Sequence, residues 1–177
     1  HYTEHEFAIA SHLASPYYIA YWSALNFHGF TEQTPFTVFA ATTKRAKNRE
    51  VLNTKYNFIT LSKGKFFGFI PTAVGTHKIN ISDHEKTIVD ALDHPEYCGG
   101  IREVAKCLWN AREKVSMEKI LNYAERMRNT AIIKRLGYLA ESLSIDIDAK
   151  ILSRMKEIIS PGISPLDLTM PKKGMYN

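Results

Sequence analysis

Fifteen consecutive residues, SPYYIAYWSALNFHG (15–29), constrain the fold more than any other part of the chain. Ser15 suits a helix N-cap, Pro16 the first helical turn and Gly29 the stop after the last one. Between them Tyr17, Tyr18, Ile19, Ala20, Tyr21, Trp22, Ala24, Leu25 and Phe27 are apolar or aromatic. A surface helix shows one apolar stripe and one polar face. This stretch is apolar nearly all round, so it predicts a central helix covered on several sides. Ser23, Asn26 and His28 would then need partners inside.

The rest of the chain supplies the cover. Residues 4–13 form a short helix with Phe7, Ile9 and Leu13 available for packing. PFTVFAAT (35–42), YNFITL (56–61), KFFGFIP (65–71) and HKINI (77–81) read as strands from their β-branched, aromatic or alternating character. The polar segment TKRAKNREV (43–51) reads as a loop, and Ser62-Lys63-Gly64 as the turn of a hairpin. Short strands in succession argue for a small, mostly antiparallel sheet. From Ser82 the period becomes helical, with Ser82 and Glu85 in a capping-box pattern. Further helices follow around Ile101–Ala111, after Ser116, after Asn129 and over 151–159, each with an apolar stripe. The expected class is α+β in one domain: a helix-and-sheet lobe (1–81), a helical lobe (82–160) and an extended tail (161–177).

Charge is distributed unevenly along the 177 residues, whose formal net charge is +5. Residues 1–43 hold three acids and no Lys or Arg. Residues 44–65 hold Lys44, Arg45, Lys47, Arg49, Lys55, Lys63 and Lys65 against Glu50 alone. Residues 101–135 add nine basic groups against four acids, ending in Arg126, Arg128, Lys134 and Arg135. Two such blocks point to a surface facing an anionic partner, with scattered solvated cations as the plain alternative. No apolar run approaches membrane-spanning length and no signal peptide is recognisable. Cys98 and Cys107 are too few for a disulfide framework, and free thiols imply a cytoplasmic protein. The chain starts at His1-Tyr2 without Met, so a preceding domain is expected.

Constellations that carry chemistry are weak. His77, Asp83, His84, Glu85 and His94 gather in sequence but lack an HxxxH or HExxH metal spacing. The predicted strands carry no carboxylates for a nuclease centre. Cys98 and Cys107 flank a Gly-Gly break and read as buried structural thiols. Gly137 interrupts a good helix, IIKRLGYLAESL, at a cost of about 1 kcal/mol relative to Ala. Either another element or a ligand approaches closely there. The expectation is a binding or regulatory module that needs no cofactor; a nuclease-like or phosphoryl-transfer enzyme is the alternative.

Four segments in order, YYIAYWSALNFHGFTEQTP (17–35), ISDHEKTIVDAL (81–92), GGIREVAKCL (99–108) and KRLGYLAESL (134–143), resemble the AbiEi-like family. These are antitoxins and transcriptional regulators of type IV toxin–antitoxin, or abortive-infection, systems of phage defence. The resemblance implies an antitoxin domain that counteracts an AbiEii-like nucleotidyltransferase toxin acting on tRNA or related nucleic acid. It also implies an N-terminal winged helix-turn-helix, absent from this chain, that binds promoter DNA. It carries over no catalytic residues. After LDLTMPKKGMYN, family members commonly continue into a Trp-containing strand, and here the chain ends.

Overall fold

A computed structural model describes residues 4–159 and Leu166. The predicted tail (161–177) lies outside the described residues except for Leu166, which packs against the core. The class is α+β: helix α1 (Glu4–Leu13) precedes a six-stranded sheet, and a helical part follows. The strands are β1 (Tyr17–Ile19), β2 (Thr37–Thr42), β3 (Arg49–Val51), β4 (Thr54–Thr60), β5 (Phe69–Val74) and β6 (His77–Ser82). Helix α2 (Tyr21–Phe27) sits between β1 and β2. The later helices are α3 (His84–Asp93), α4 (Ile101–Ala111), α5 (Met117–Met127), α6 (Thr130–Ser142) and α7 (Ala149–Ile158).

The opening stretch corrects the reading of 15–29 as one helix. Tyr17–Ile19 is a strand, and it lies near the middle of a sheet ordered β3-β4-β2-β1-β6-β5. A strand buried on both faces is apolar all round, as a buried helix is, so periodicity alone does not separate them. The faces are sorted by alternation: Tyr18 points into the core under the helical part, while Tyr17 and Ile19 point to the side covered by α1. Only the second half of the stretch is helical. It ends as expected, with Gly29 at φ +69, Gly29 N–H donating to Asn26 O (3.0 Å) and Phe30 N–H to Leu25 O (2.9 Å). That is the paired 5→2 and 6→1 closure that a left-handed glycine permits.

The predicted hairpin between 56–61 and 65–71 does not form. Lys63–Lys65 is a turn of 3-10 helix, and β4 pairs in parallel with β2 and antiparallel with β3. The segment expected to be a loop therefore contains a short edge strand, Arg49–Val51. The sheet is mixed, with three antiparallel and two parallel pairings. Tight hairpins do occur, at β3–β4 and β5–β6.

Helix α3 is the element on which the others assemble. It packs against α2, α4, α5 and α6 and follows directly from β6. Every residue from Glu85 to Asp93 is buried. Its N-cap is Asp83, whose carboxylate accepts from Lys86 N–H at 2.8 Å, rather than the expected Ser82. Ser82 belongs to β6, where its hydroxyl meets Thr87 Oγ1 at 2.6 Å. The helices expected after Ser116 and Asn129 start there, and both side chains cap them.

Candidate functional site

A helix buried on nearly all sides must neutralise its own charges, and α3 carries four charged residues, Glu85, Lys86, Asp90 and Asp93. Lys86 and Asp90, one helical turn apart, form an ion pair with both side chains fully buried. Tyr18 of β1 closes the group: Lys86 Nζ donates to its hydroxyl at 3.0 Å, and that hydroxyl donates to Asp90 Oδ2 at 3.0 Å. Burial pushes the Tyr18 phenol well above its usual range, so it remains a donor. Gly68 (φ +71) lies over the Lys86 stem; a Cβ there would sit 2.9 Å from Lys86 Cβ. The group is sealed from solvent and ties the central strand to α3.

The other acids of α3 reach outward. Glu85 accepts from Ser116 N–H (3.0 Å) and Lys119 Nζ (2.8 Å). Burial alone would raise its pKa, but these two donors outweigh it and hold the carboxyl below the usual range. Its expected capping role is thus replaced by a clamp on the start of α5. Asp93, at the end of α3, takes Lys65 Nζ at 3.1 Å and Asn129 Nδ2 at 2.6 Å.

Arg135, expected on a basic surface, is only 3 % exposed. Its guanidinium donates to Leu92 O (2.6 Å) and Asp93 O (3.2 Å), the carbonyls left open at the end of α3. It is therefore a structural cap, which corrects its assignment to a partner-facing site. Lys134 is half-buried and lines a groove between α6 and α7 with Tyr138 and Lys156, away from the other cations.

The remaining basic residues form a rim. Because β2 and β4 run parallel, with Thr42 opposite Thr60, the chain leaves both strands at the same end of the sheet. Leu61 N–H donates to Thr42 O (2.8 Å) and Lys44 N–H to Thr42 Oγ1 (3.3 Å), so Lys44 and Lys63 start from neighbouring points. The 63–65 turn packs against α5. Lys65, Arg126 and Arg128 line the resulting cleft of about 910 Å³ together with Ser62 and Asn122. Lys44, Arg45, Lys47, Arg49, Lys63, Arg126 and Arg128 are all exposed. The loop from Lys44 then runs back along the sheet edge, where Asn48 Oδ1 accepts from Phe58 N–H (3.0 Å) and Arg49 pairs with Tyr56. Lys47 and Arg49 thus lie along the edge strand and Lys44 at its upper end. What the sequence missed is the charge inside: Lys86, Asp90, Asp93 and Tyr18. The i, i+4 spacing of Lys86 and Asp90 was the one signal that could have paired them.

The histidines and acids grouped in sequence disperse. His84 stacks edge-on against His28 (4.6 Å), His94 lies 2.8 Å from Glu96, and His77 begins β6. Among the described residues no three His, Cys, Asp or Glu side chains converge in a way that could hold a metal ion. Cys98 and Cys107 are buried free thiols, and burial pushes Cys107 up to about 12 and Cys98 higher than its usual value, which suits packing rather than nucleophilic attack. No helix among the described residues is long and apolar enough to cross a membrane. No protein-family model matches the chain, and no curated protein matches it.

Proposed function

We propose that this chain is the antitoxin domain of a type IV toxin–antitoxin system and counteracts a nucleotidyltransferase-type toxin through its basic rim. The resemblance of four ordered segments to AbiEi-like proteins motivates the system. The observation that carries the mechanism is the rim: exposed cations from the 44–47 loop, the 63–65 turn and the end of α5 share one end of the sheet. Concentrated like charges add self-repulsion and little folding energy, and an anionic partner would neutralise them. Two acids beside the cleft, by contrast, are each engaged by a protein donor: Asp93 by Lys65 and Glu125 by Arg154. The arrangement fits a binding module in the cytoplasm, with promoter recognition residing in a separate winged helix-turn-helix.

Charge reversal tests the reading. Lys44→Glu/Arg45→Glu/Lys63→Glu and Arg126→Glu/Arg128→Glu are expected to fold, with stability changes within about 0.5 kcal/mol per site. Both are expected to lose rescue of cells expressing an AbiEii-like nucleotidyltransferase toxin that the parent protein neutralises. Full rescue by two folded reversed proteins would reduce the rim to solvation.

A further inference from the structure

The cleft between the 62–65 turn and the end of α5 holds more than scattered cations. Arg126 is exposed, and its guanidinium carbon lies 3.9 Å from the centroid of the Phe67 ring. Phe67 is itself buried, held against Tyr123 at 5.1 Å between ring centres, so the ring is a fixed support. A planar cation resting on an immobile ring presents its opposite face and its N–H edge outward. The carboxylate that lines the cleft, Glu125, is occupied by Arg154, whose Nε and Nη2 lie 3.0 and 2.5 Å from its two oxygens. The cleft therefore keeps its positive character without an internal acid to quench it. The end of the α5 dipole accounts for about half a charge of the cations gathered there. Arg128 lines one wall, the turn that forms the other carries exposed Lys63 at its outer side, and Lys44 extends the charge along the sheet end.

We propose that this cleft binds a nucleotide unit of a single-stranded nucleic acid, its base stacked on the outer face of Arg126 and its phosphate between Lys63 and Arg128. Stacking needs an unpaired base, because bases within a duplex are already covered on both faces and only their edges are offered. A strand fits better than a free nucleotide, since only a strand continues to Lys44 and Arg45. The inference rests on the rim being a contact surface; it does not depend on the antitoxin role.

Fluorescence anisotropy with the full chain tests it, using a labelled oligoadenylate of about twelve nucleotides, within the usual span of single-strand sites. Ribo- and deoxy- versions, a duplex of equal length and free AMP as competitor complete the set. Single strands are expected to bind, and the duplex and AMP at least about ten-fold more weakly. Arg126→Lys keeps the charge and removes the stacking plane, and is expected to weaken strand binding about ten-fold, in line with the loss of one stacked base. Lys63→Gln, on the turn that borders the cleft, is expected to weaken binding and to lower its salt dependence. Thermal melts of both variants are expected to match the parent. Absence of binding at low salt, equal binding by Arg126→Lys, equal binding of duplex, or AMP competing as well as the strand would each overturn the proposal. Loss of toxin rescue in the reversed proteins without any strand binding would leave the antitoxin reading standing and remove this one. Strand binding as described with rescue intact in those proteins would do the opposite.

Discussion

At the scale of single residues, the same side-chain type does opposite work according to what surrounds it. Arg135 and Arg128 are both basic and only seven positions apart, yet one closes the end of α3 and the other faces water. Arg135→Glu would place an unpaired carboxylate against two buried carbonyls and is expected to cost about 3–5 kcal/mol. Arg128→Glu is expected to stay within about 0.5 kcal/mol, and urea unfolding of the pair separates the two roles. The Lys86–Asp90–Tyr18 group obeys the same logic. Lys86→Met would strand a buried Asp90 and is expected to lose about 3–5 kcal/mol. Adding Asp90→Leu and Tyr18→Phe is expected to recover most of that loss, because a matched apolar set needs no partners. Failure of the triple variant to recover would mean that the group matters for more than mutual neutralisation. The Lys86–Asp90 pair neutralises itself within α3, and what a hydropathy reading hid is its burial, which comes only once β1 brings Tyr18 across the helix.

At the scale of elements, α6 tests whether a glycine inside a helix is required by its packing. A Cβ at Gly137 would meet only the terminal methyl of Met155 in α7, at 3.4 Å. That is an ordinary contact distance, so the packing of α7 does not itself demand glycine here. The contact is with the movable end of a flexible side chain, so Gly137→Ala is expected to stabilise the protein by about 0.5–1 kcal/mol through helix propensity alone. A higher melting temperature would confirm it, and a lower one would show that α7 cannot give way. The helices after residue 100 were legible because each carries an apolar stripe, and three of them a side-chain cap as well. The 15–29 stretch was not, since its uniform apolarity suits a two-face-buried strand as well as a helix. The 62–68 segment was misread because its short turn looks like a hairpin until the parallel β2–β4 pairing is known.

At the scale of the whole molecule, stability against pH depends on the junction where α2, β6 and α3 meet. His28 Nε2 lies 2.7 Å from Ser82 O, its ring is 4.6 Å from that of His84, and Phe27 and Phe30 flank it. Burial lowers its pKa, outweighing the pull of Ser82 O upward. The unfolded chain therefore binds more protons than the folded one between the lowered value and about 6.5, so stability falls as pH drops through that window. His28→Gln keeps a donor toward Ser82 O and removes the titration. Its melting temperature is expected to vary less with pH below about 6.5 than that of the parent. Equal slopes would place the acid sensitivity elsewhere.

The sequence by itself determined the class, the order of helix, sheet and helical part, the helix starts at Ser116 and Asn129 and the stop at Gly29, because these depend on residues close together along the chain. It also determined that basic residues crowd two blocks. Which of those residues share a surface was decided only by tertiary structure. The parallel pairing of β2 with β4 brings Lys44 toward Lys63, and the packing of the 63–65 turn on α5 adds Arg126 and Arg128. The packing of α6 on α3 takes Arg135 out of water altogether. Pairing across a sheet and burial beneath a helix join residues tens of positions apart, and local pattern holds no record of that distance.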